Sequence, residues 1–141
     1  MKKIFLLLLL IILISGCIKE DTVFVTRVID GDTFETSDGE TIRLLGINTP
    51  EKHEYYYEEA TEYLRKLIEN KNVRLEGDKT NKDWYGRELR YVYIGNKLVN
   101  AEMLEQGYAR IYLLKDRKYQ NSFQYAENHA KDLHLGVWGY T

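Results

Sequence analysis

The sequence has very little cysteine, histidine and proline: one cysteine, three histidines and one proline among 141 residues. Because Cys17 is the only cysteine, a disulfide within the chain is excluded. His129 and His134 are five residues apart and would not share a helix face, so the histidines indicate neither a zinc site nor a histidine-dependent nucleophile. Catalysis by a Ser/His/Asp or Cys/His arrangement therefore has no support in the sequence.

The sequence also lacks an excess of basic residues. Once the N-terminal segment with Lys2 and Lys3 is set aside, 18 basic side chains remain against 22 acidic ones. A protein that holds a polyanion mainly by charge is expected to be basic, so the composition argues against strong, charge-driven binding of nucleic acid. Arg43, Arg87 and the stretch 115–118 can still form a local positive surface. A solvated charged loop is an equal alternative for 115–118.

The longest apolar run lies at the N-terminus, where Lys2 and Lys3 precede eleven apolar residues at 4–14. A membrane-spanning helix needs about 20 such residues. The run therefore predicts a cleaved signal peptide over residues 1–16, with an uncleaved N-terminal anchor as the alternative.

The residues after this run resemble a lipobox, since Ser15-Gly16 precede Cys17. The resemblance implies that Cys17 is lipidated and becomes the first residue of the mature protein. We expect a lipidated cysteine and short tether at 17–22 and one folded domain at 23–141. The protein is then expected to be a monomer, anchored in the cell membrane and facing outside the cytoplasm.

The first half of the domain has the pattern of strands followed by a helix. Segments 23–29, 33–36 and 41–47 are rich in β-branched residues and separated by turn signals, which predicts a three-stranded meander. Alternation within the third segment predicts that Arg43 faces away from its apolar neighbours. After Glu51, helical spacing of apolar residues predicts a helix that ends near Asn70.

The second half has two more strand patterns, at 73–76 and 89–94, separated by a polar loop at 77–87. We expect Asn100 to cap a short helix that ends in a left-handed turn at Gly107. Asn121 resembles the start of a capping box for a last helix, whose inward face would include Leu133. The order of elements predicts an α+β, mainly β, architecture: an OB-fold five-stranded β-barrel with three helices.

Several polar residues are not required by these local elements. They are Asp30 and Asp32 in a tight turn, Arg43 in an apolar strand, Glu51 after the only proline, and Tyr85 and Arg87 at the end of the long loop. Carboxylate oxygens suit a hard cation, a further carboxylate can take a proton from water, and arginine forks match phosphate oxygens. Each residue alone also has an ordinary explanation as a turn, a snorkelling side chain or a solvated loop end.

Three segments carry a resemblance to a known family: VIDGDTF at 28–34, IRLLGINTPE at 42–51 and DWYGREL at 83–89. They resemble, in order and spacing, the signature blocks of the thermonuclease, or staphylococcal nuclease, family. The likeness continues through VNAEMLEQGYARI at 99–111 to LGVW at 135–138. It therefore covers nearly the whole of the expected domain.

The resemblance implies an OB-fold endonuclease that hydrolyses DNA and RNA with Ca²⁺. By this likeness, Arg43 and Arg87 would hold the scissile phosphate, Glu51 would be the general base and Tyr85 would contact a phosphate. The metal site would consist of Asp32, Asn48 and the backbone carbonyl of Thr49, with Asp30 in the outer shell.

Asn48 departs from the family pattern, because the best-known members carry aspartate there. An amide oxygen can bind Ca²⁺, but the site loses one negative charge, which predicts weaker metal binding. The alternative is that Asn48 is only a turn residue. Tyr112 or Tyr119 could stack a base, as aromatic residues do for single strands, and a buried tyrosine is equally compatible with the sequence.

Two further functions remain open at this point: a non-catalytic OB-fold module that binds nucleic acid or another ligand, and a surface interaction lipoprotein. The presence together of Arg43, Glu51 and Arg87 favours the enzyme, since a binding module has no need of a general base.

Overall fold

The computed structural model describes residues 21–113 and 117–139. The predicted signal peptide, Cys17 and residues 115–116 of the charged stretch lie outside the described residues, so these predictions remain as they stand. Within the described ranges no helix has the length and apolar character needed to cross a membrane.

The core of the fold is a five-stranded barrel. Its strands are β1 (Thr22–Asp30), β2 (Thr33–Thr36), β3 (Thr41–Leu44), β5 (Asn72–Glu76) and β6 (Glu88–Ile94). The first three form the predicted antiparallel meander, and β5 lies antiparallel to both β1 and β6. Parallel pairing of β3 with β6, in which Arg43 lies opposite Leu89, closes the barrel. The predicted OB-type barrel is therefore confirmed.

The third predicted strand, 41–47, is interrupted in the structure. Gly46 adopts a left-handed φ of 81°, which separates β3 from a short strand β4 (Ile47–Asn48). β4 pairs outside the barrel with β8 (Arg110–Ile111), and β7 (Lys97–Leu98) forms a hairpin with β6. The break redirects the chain so that Asn48 and Thr49 leave the barrel wall.

Three helices pack on the barrel: α1 (Tyr57–Ile68), α2 (Val99–Glu105) and α3 (Gln120–Asp132). A turn of 3₁₀ helix, Gly136–Trp138, follows α3. The apolar stripe of α1 is buried at Ala60, Leu64 and Ile68. Apolar residues from the strands and all three helices form one continuous core, which fixes the helices against the barrel.

The predicted helix starts were wrong. Helix α2 begins at Val99, and Asn100 lies inside it with a fully buried side chain. Its side-chain amide accepts a hydrogen bond from Val92 N (2.9 Å) and donates one to Leu45 O (3.0 Å). Because both polar atoms of the side chain bond to residues outside the helix, Asn100 does not cap it. Helix α3 begins at Gln120 without a side-chain cap, and Leu133 is 57% exposed rather than inward. Gly107 has the predicted left-handed conformation, with φ 77°.

Candidate active site

Asp32 holds two separate segments of the chain together. Its side chain is buried, and Oδ2 accepts hydrogen bonds from Thr49 N (3.1 Å) and Thr49 Oγ1 (3.2 Å), while Oδ1 accepts one from Thr33 Oγ1 (2.9 Å). The turn at 30–32 lies very close to Thr49, and a Cβ atom added to Gly31 would clash with Thr49 Oγ1 at 2.8 Å. Glycine is therefore needed between the two aspartates.

Arg43 lies at the centre of this network. The sequence predicted the face of β3 on which this side chain lies but not its burial, and the residue is only 8% exposed. The chain after β3 folds over it: Nη1 donates to Leu44 O (3.3 Å) and Ile47 O (3.2 Å). Nη2 donates to Asn48 Oδ1 (2.7 Å) and lies 3.5 Å from Asp32 Oδ2. A buried guanidinium thus faces two oxygen-bearing side chains.

Asp30 supports the position of Asp32. Its Oδ1 accepts a hydrogen bond from Asp32 N (3.1 Å). Burial, together with the negative charge of Asp32, raises the pKa of Asp30 to about 6. The carboxyl group of Asp30 therefore keeps its proton to a higher pH than an ordinary aspartate does.

The donor set around Asp32 can be tested for its fit to a hard cation. One side-chain oxygen of Asp32 and one of Asn48 face the same nitrogen of the Arg43 guanidinium, so both oxygens are directed towards a positive charge. Carboxylate and amide oxygens are the donor types that Ca²⁺ takes. The charge count is low, and residues 21–113 and 117–139 contain no cluster of three or more His, Cys, Asp or Glu side chains suited to a metal. The donor types fit Ca²⁺, and the small number of charges predicts modest affinity.

Glu51 follows the end of β4 and lies in solvent. Thr49 is anchored on Asp32, and Pro50 fixes the direction in which the chain leaves it. The backbone N–H of Glu51 donates to Glu54 Oε2 (2.7 Å), which holds the turn before α1. The Glu51 side chain is exposed and lines a groove rather than the interior.

Arg87 is positioned by an aspartate that the sequence reasoning did not single out. Asp83 accepts hydrogen bonds from Tyr85 N (2.9 Å) and Arg87 N (3.0 Å), and its Oδ2 pairs with Arg87 Nε at 2.6 Å. Burial would raise the pKa of Asp83, but the hydrogen bonds from Arg87 hold it below its usual value. The sequence did contain a signal for this ion pair, because Asp83 lies four residues before Arg87 in the same loop.

These segments meet in an open groove of about 430 Å³, here called the arginine groove. It brings together five of the predicted site residues, namely Arg43, Asn48, Glu51, Tyr85 and Arg87. Its other described lining residues are Thr80, Lys82, Asp83, Trp84, Leu89, Tyr112, Leu113 and Arg117. The buried Asp32 is joined to the groove through Arg43, whereas Asp30 contacts only the turn.

Two aromatic candidates for base contact are separated by the structure. Tyr112 lines the arginine groove, and its ring lies 5.7 Å from Arg43 Cζ. Tyr119 is half-buried, and its hydroxyl group bonds with Tyr93 Oη (2.5 Å) and Glu76. Tyr119 is therefore a structural residue. Trp84 and Tyr85 are almost completely exposed at the rim of the groove.

The arginine groove has the groups needed to act on a phosphodiester. The guanidinium groups of Arg43 in β3 and of Arg87 in the loop before β6 can bind phosphate oxygens, and the exposed carboxylate of Glu51, which lines the same groove, can accept a proton. Both arginines are held by fixed partners, so little side-chain entropy is lost when a phosphate binds.

Comparison with known proteins gives a consistent result. The model of a family described as staphylococcal nuclease homologue matches residues 41–140. The chain is 36% identical over 129 residues to a thermonuclease of Staphylococcus hyicus, covering 84% of this chain and 76% of that protein. It is 33% identical over 134 residues to a thermonuclease of Staphylococcus intermedius, covering 88% and 80%. The endonuclease YncB of Bacillus subtilis is 34% identical over 124 residues, which are 79% of this chain and 59% of that protein.

Proposed function

The chain belongs to the staphylococcal nuclease homologue family and is a nuclease, and we propose that it hydrolyses phosphodiester bonds of DNA and RNA in the arginine groove with Ca²⁺ as cofactor. One observation carries the proposal. Arg43 and Glu51, which are eight residues apart, and Arg87 from a distant loop of the chain line the same groove. A module that only binds nucleic acid would not require the exposed carboxylate among them.

In this proposal the two arginines bind the non-bridging oxygens of the scissile phosphate. Their charge stabilises the extra negative charge of the phosphorane-like transition state, which is worth most in a site with fixed donors. Arg43 is fixed by the carbonyl groups of Leu44 and Ile47, and Arg87 is fixed by Asp83. Tyr85, whose ring lies 5.3 Å from Arg87 Cζ, would contact the same or a neighbouring phosphate.

Glu51 acts as the general base that takes a proton from the attacking water. Its carboxylate is exposed in the groove, and Pro50 and the bond from its backbone to Glu54 direct it there. Asp32, Asn48 and the backbone carbonyl of Thr49 would hold Ca²⁺, with Asp30 supporting Asp32. When bound, the ion would polarise the phosphate and orient water.

We also propose that the enzyme acts outside the cytoplasm, as a monomer tethered by lipid at Cys17 after cleavage of residues 1–16. The support is the sequence pattern around the only cysteine. Replacement of Cys17 by alanine should move the protein from the membrane fraction to the soluble fraction. A Cys17→Ala protein that stays with the membrane would contradict the lipid anchor.

The proposed activity is tested with the purified full-length chain in detergent, single-stranded DNA and RNA, and either Ca²⁺ or a chelator. We expect cleavage only with Ca²⁺, and a loss of at least about 100-fold in Arg87→Ala, the usual effect of removing one fixed donor to the transition state. Arg27→Ala is the matched control, since Arg27 pairs with Glu35 on the outer surface. If the protein binds nucleic acid but does not cleave it with any divalent metal ion, it would instead be a binding module.

A further inference from the structure

A second open groove, of about 570 Å³, adjoins the arginine groove. We call it the tyrosine groove, and its described lining residues are Asn48, Thr49, Pro50, Glu54, Tyr55, Arg110, Ile111, Tyr112 and Val137. Asn48 and Tyr112 line both grooves, so the two form a continuous surface that meets at the proposed metal ligand. Both volumes lie in the range of about 300–1,000 Å³ that is typical of small-ligand pockets.

Arg110 lies in the tyrosine groove with its guanidinium fixed in place. Its Cζ lies 4.1 Å from the centre of the Trp138 ring, and its Nη2 donates to Val137 O (3.3 Å). Among residues 21–113 and 117–139 it forms no ion pair, unlike Arg43 and Arg87, so its charge is not neutralised by a carboxylate. A fixed, exposed guanidinium with no paired carboxylate is suited to bind a phosphate.

Two aromatic rings accompany this charge. Tyr55 is 54% exposed and Tyr112 is 47% exposed, and both line the tyrosine groove. Aromatic side chains stack on nucleic-acid bases of any identity, because every base has a π-face. Glu54 is the one carboxylate among the described lining residues, and its Oε2 already accepts the backbone N–H of Glu51.

From this arrangement we infer that the tyrosine groove is a subsite for the part of the nucleic-acid strand on the other side of the scissile phosphate. This inference rests on the proposed function. Arg110 binds the next phosphate along the strand, and Tyr55 and Tyr112 contact the nucleotide between that phosphate and the scissile one. The enzyme therefore spans the cleaved bond, with one side of the strand in each groove.

The phosphate that Arg110 binds is separate from the scissile one, so the shortest substrate does not contain it. A dinucleotide has only the scissile phosphodiester, and a strand extended by two nucleotides on the correct side supplies the next phosphate. Extra linkages made as phosphorothioates keep the negative charge and resist cleavage. Extension on one side should then raise kcat/KM by about tenfold, while Arg110→Gln should abolish that gain and leave cleavage of the dinucleotide unchanged.

The variants separate this role from a merely structural one. Arg110→Lys keeps the charge and should recover part of the gain. Tyr55→Ala, on another wall of the groove, should lower kcat/KM by a similar factor on the dinucleotide and on the extended strand, because the nucleotide that Tyr55 contacts is present in both substrates. Arg27→Ala is the matched control outside both grooves and should behave as wild type. Arg110→Gln should also make the dependence of kcat/KM on salt less steep for the extended substrate, by about one in the log–log slope.

Three results would overturn the inference. Extension on either side could give no gain, Arg110→Gln could keep the full gain, or it could lose the same factor on the dinucleotide as on the extended strand. If the wild-type protein cuts nothing, anisotropy of labelled phosphorothioate strands of both lengths decides. If longer strands bind more tightly and this gain requires Arg110, the subsite is supported although the proposed nuclease function fails. If strand length or Arg110 has no effect on binding, both the subsite and the proposed function are wrong.

Discussion

The Arg43 guanidinium donates a hydrogen bond from Nη2 to the side-chain oxygen of Asn48 across 2.7 Å, and the same nitrogen lies 3.5 Å from Asp32 Oδ2. The residue that departs from the family pattern therefore has its oxygen directed at the same place as the buried aspartate. The side chain of Asn48 thus bonds to a residue of β3 as well as lying at the end of β4. This geometry also defines what a charged side chain at that position would change.

Asn48→Asp should tighten Ca²⁺ binding. The substitution adds one negative charge to a donor set that otherwise depends on Asp32, and Ca²⁺ affinity rises with ligand charge. We expect the dissociation constant measured by titration calorimetry to fall by about tenfold, equivalent to about 1.4 kcal/mol. Asn128→Asp, on the exposed surface of α3, adds the same charge elsewhere and should have no effect. Equal affinities for wild type and Asn48→Asp would show that Asn48 is not a ligand.

Asp83→Asn should lower activity through Arg87. The substitution keeps an oxygen that can accept the backbone N–H groups of Tyr85 and Arg87, but it removes the ion pair with Arg87 Nε. Hydrogen bonds to charged groups contribute about 1.5–3 kcal/mol, so we expect kcat to fall by about tenfold or more.

A double-mutant cycle distinguishes positioning of Arg87 from a general loss of structure. If Asp83 acts only by positioning Arg87, Asp83→Asn should cost little further activity in the Arg87→Ala background. Additive losses in the cycle would mean that Asp83 has a role independent of Arg87. Thermal unfolding of both single variants checks that the loop change does not unfold the barrel.

Asp30 should make the metal-free protein less stable as pH rises. Its pKa is about 6 in the folded state against an ordinary value of 3.8, so the folded state binds the proton more tightly. The stabilisation is fully present below about pH 4 and is lost as pH rises through about 6. Asp32 supplies the negative charge that opposes ionisation, with Arg43 as the nearby positive group.

Asp30→Asn removes this penalty and keeps an oxygen that can accept the bond from Asp32 N. With chelator present, the stability gained by the variant should increase by about 1–2 kcal/mol between pH 4 and pH 8, after allowance for solvent screening. Urea unfolding at several pH values measures this difference. A difference that stays constant over that range would contradict the assigned pKa.

Much of the fold was predictable because local patterns and tertiary packing agree there. The strand at 33–36, the buried stripe of α1 and the left-handed Gly107 were all predicted from short-range signals. The predicted capping by Asn100 was wrong because its amide instead bonds with the backbone of Val92 and Arg90 in β6 and of Leu45 after β3. No local signal distinguishes that use from a helix cap.

In the site too, some features were predictable from the sequence and others depend on tertiary contacts. The sequence singled out Arg43, Glu51 and Arg87 by type and by family resemblance, and the structure places them in one groove. The burial of Arg43 depends on how the chain after β3 folds back over it. The pairing of β4 with β8 joins segments more than sixty residues apart in the chain, as in the pairing of Asn48 with Arg110. Pairing of such two-residue strands leaves no periodic pattern, so the tyrosine groove could not be predicted.

The central claim is that the arginine groove cuts phosphodiester bonds with Glu51 as the base, and its most direct test is the single-turnover cleavage rate of Glu51→Gln on single-stranded DNA with Ca²⁺. General-base catalysis contributes about 10²–10⁴-fold, so the rate should fall by at least about 100-fold. Binding of the strand should stay within about threefold of wild type, since the arginines remain. Glu58→Gln, on the exposed face of α1, is the matched control. Cleavage by Glu51→Gln at the wild-type rate would contradict the account.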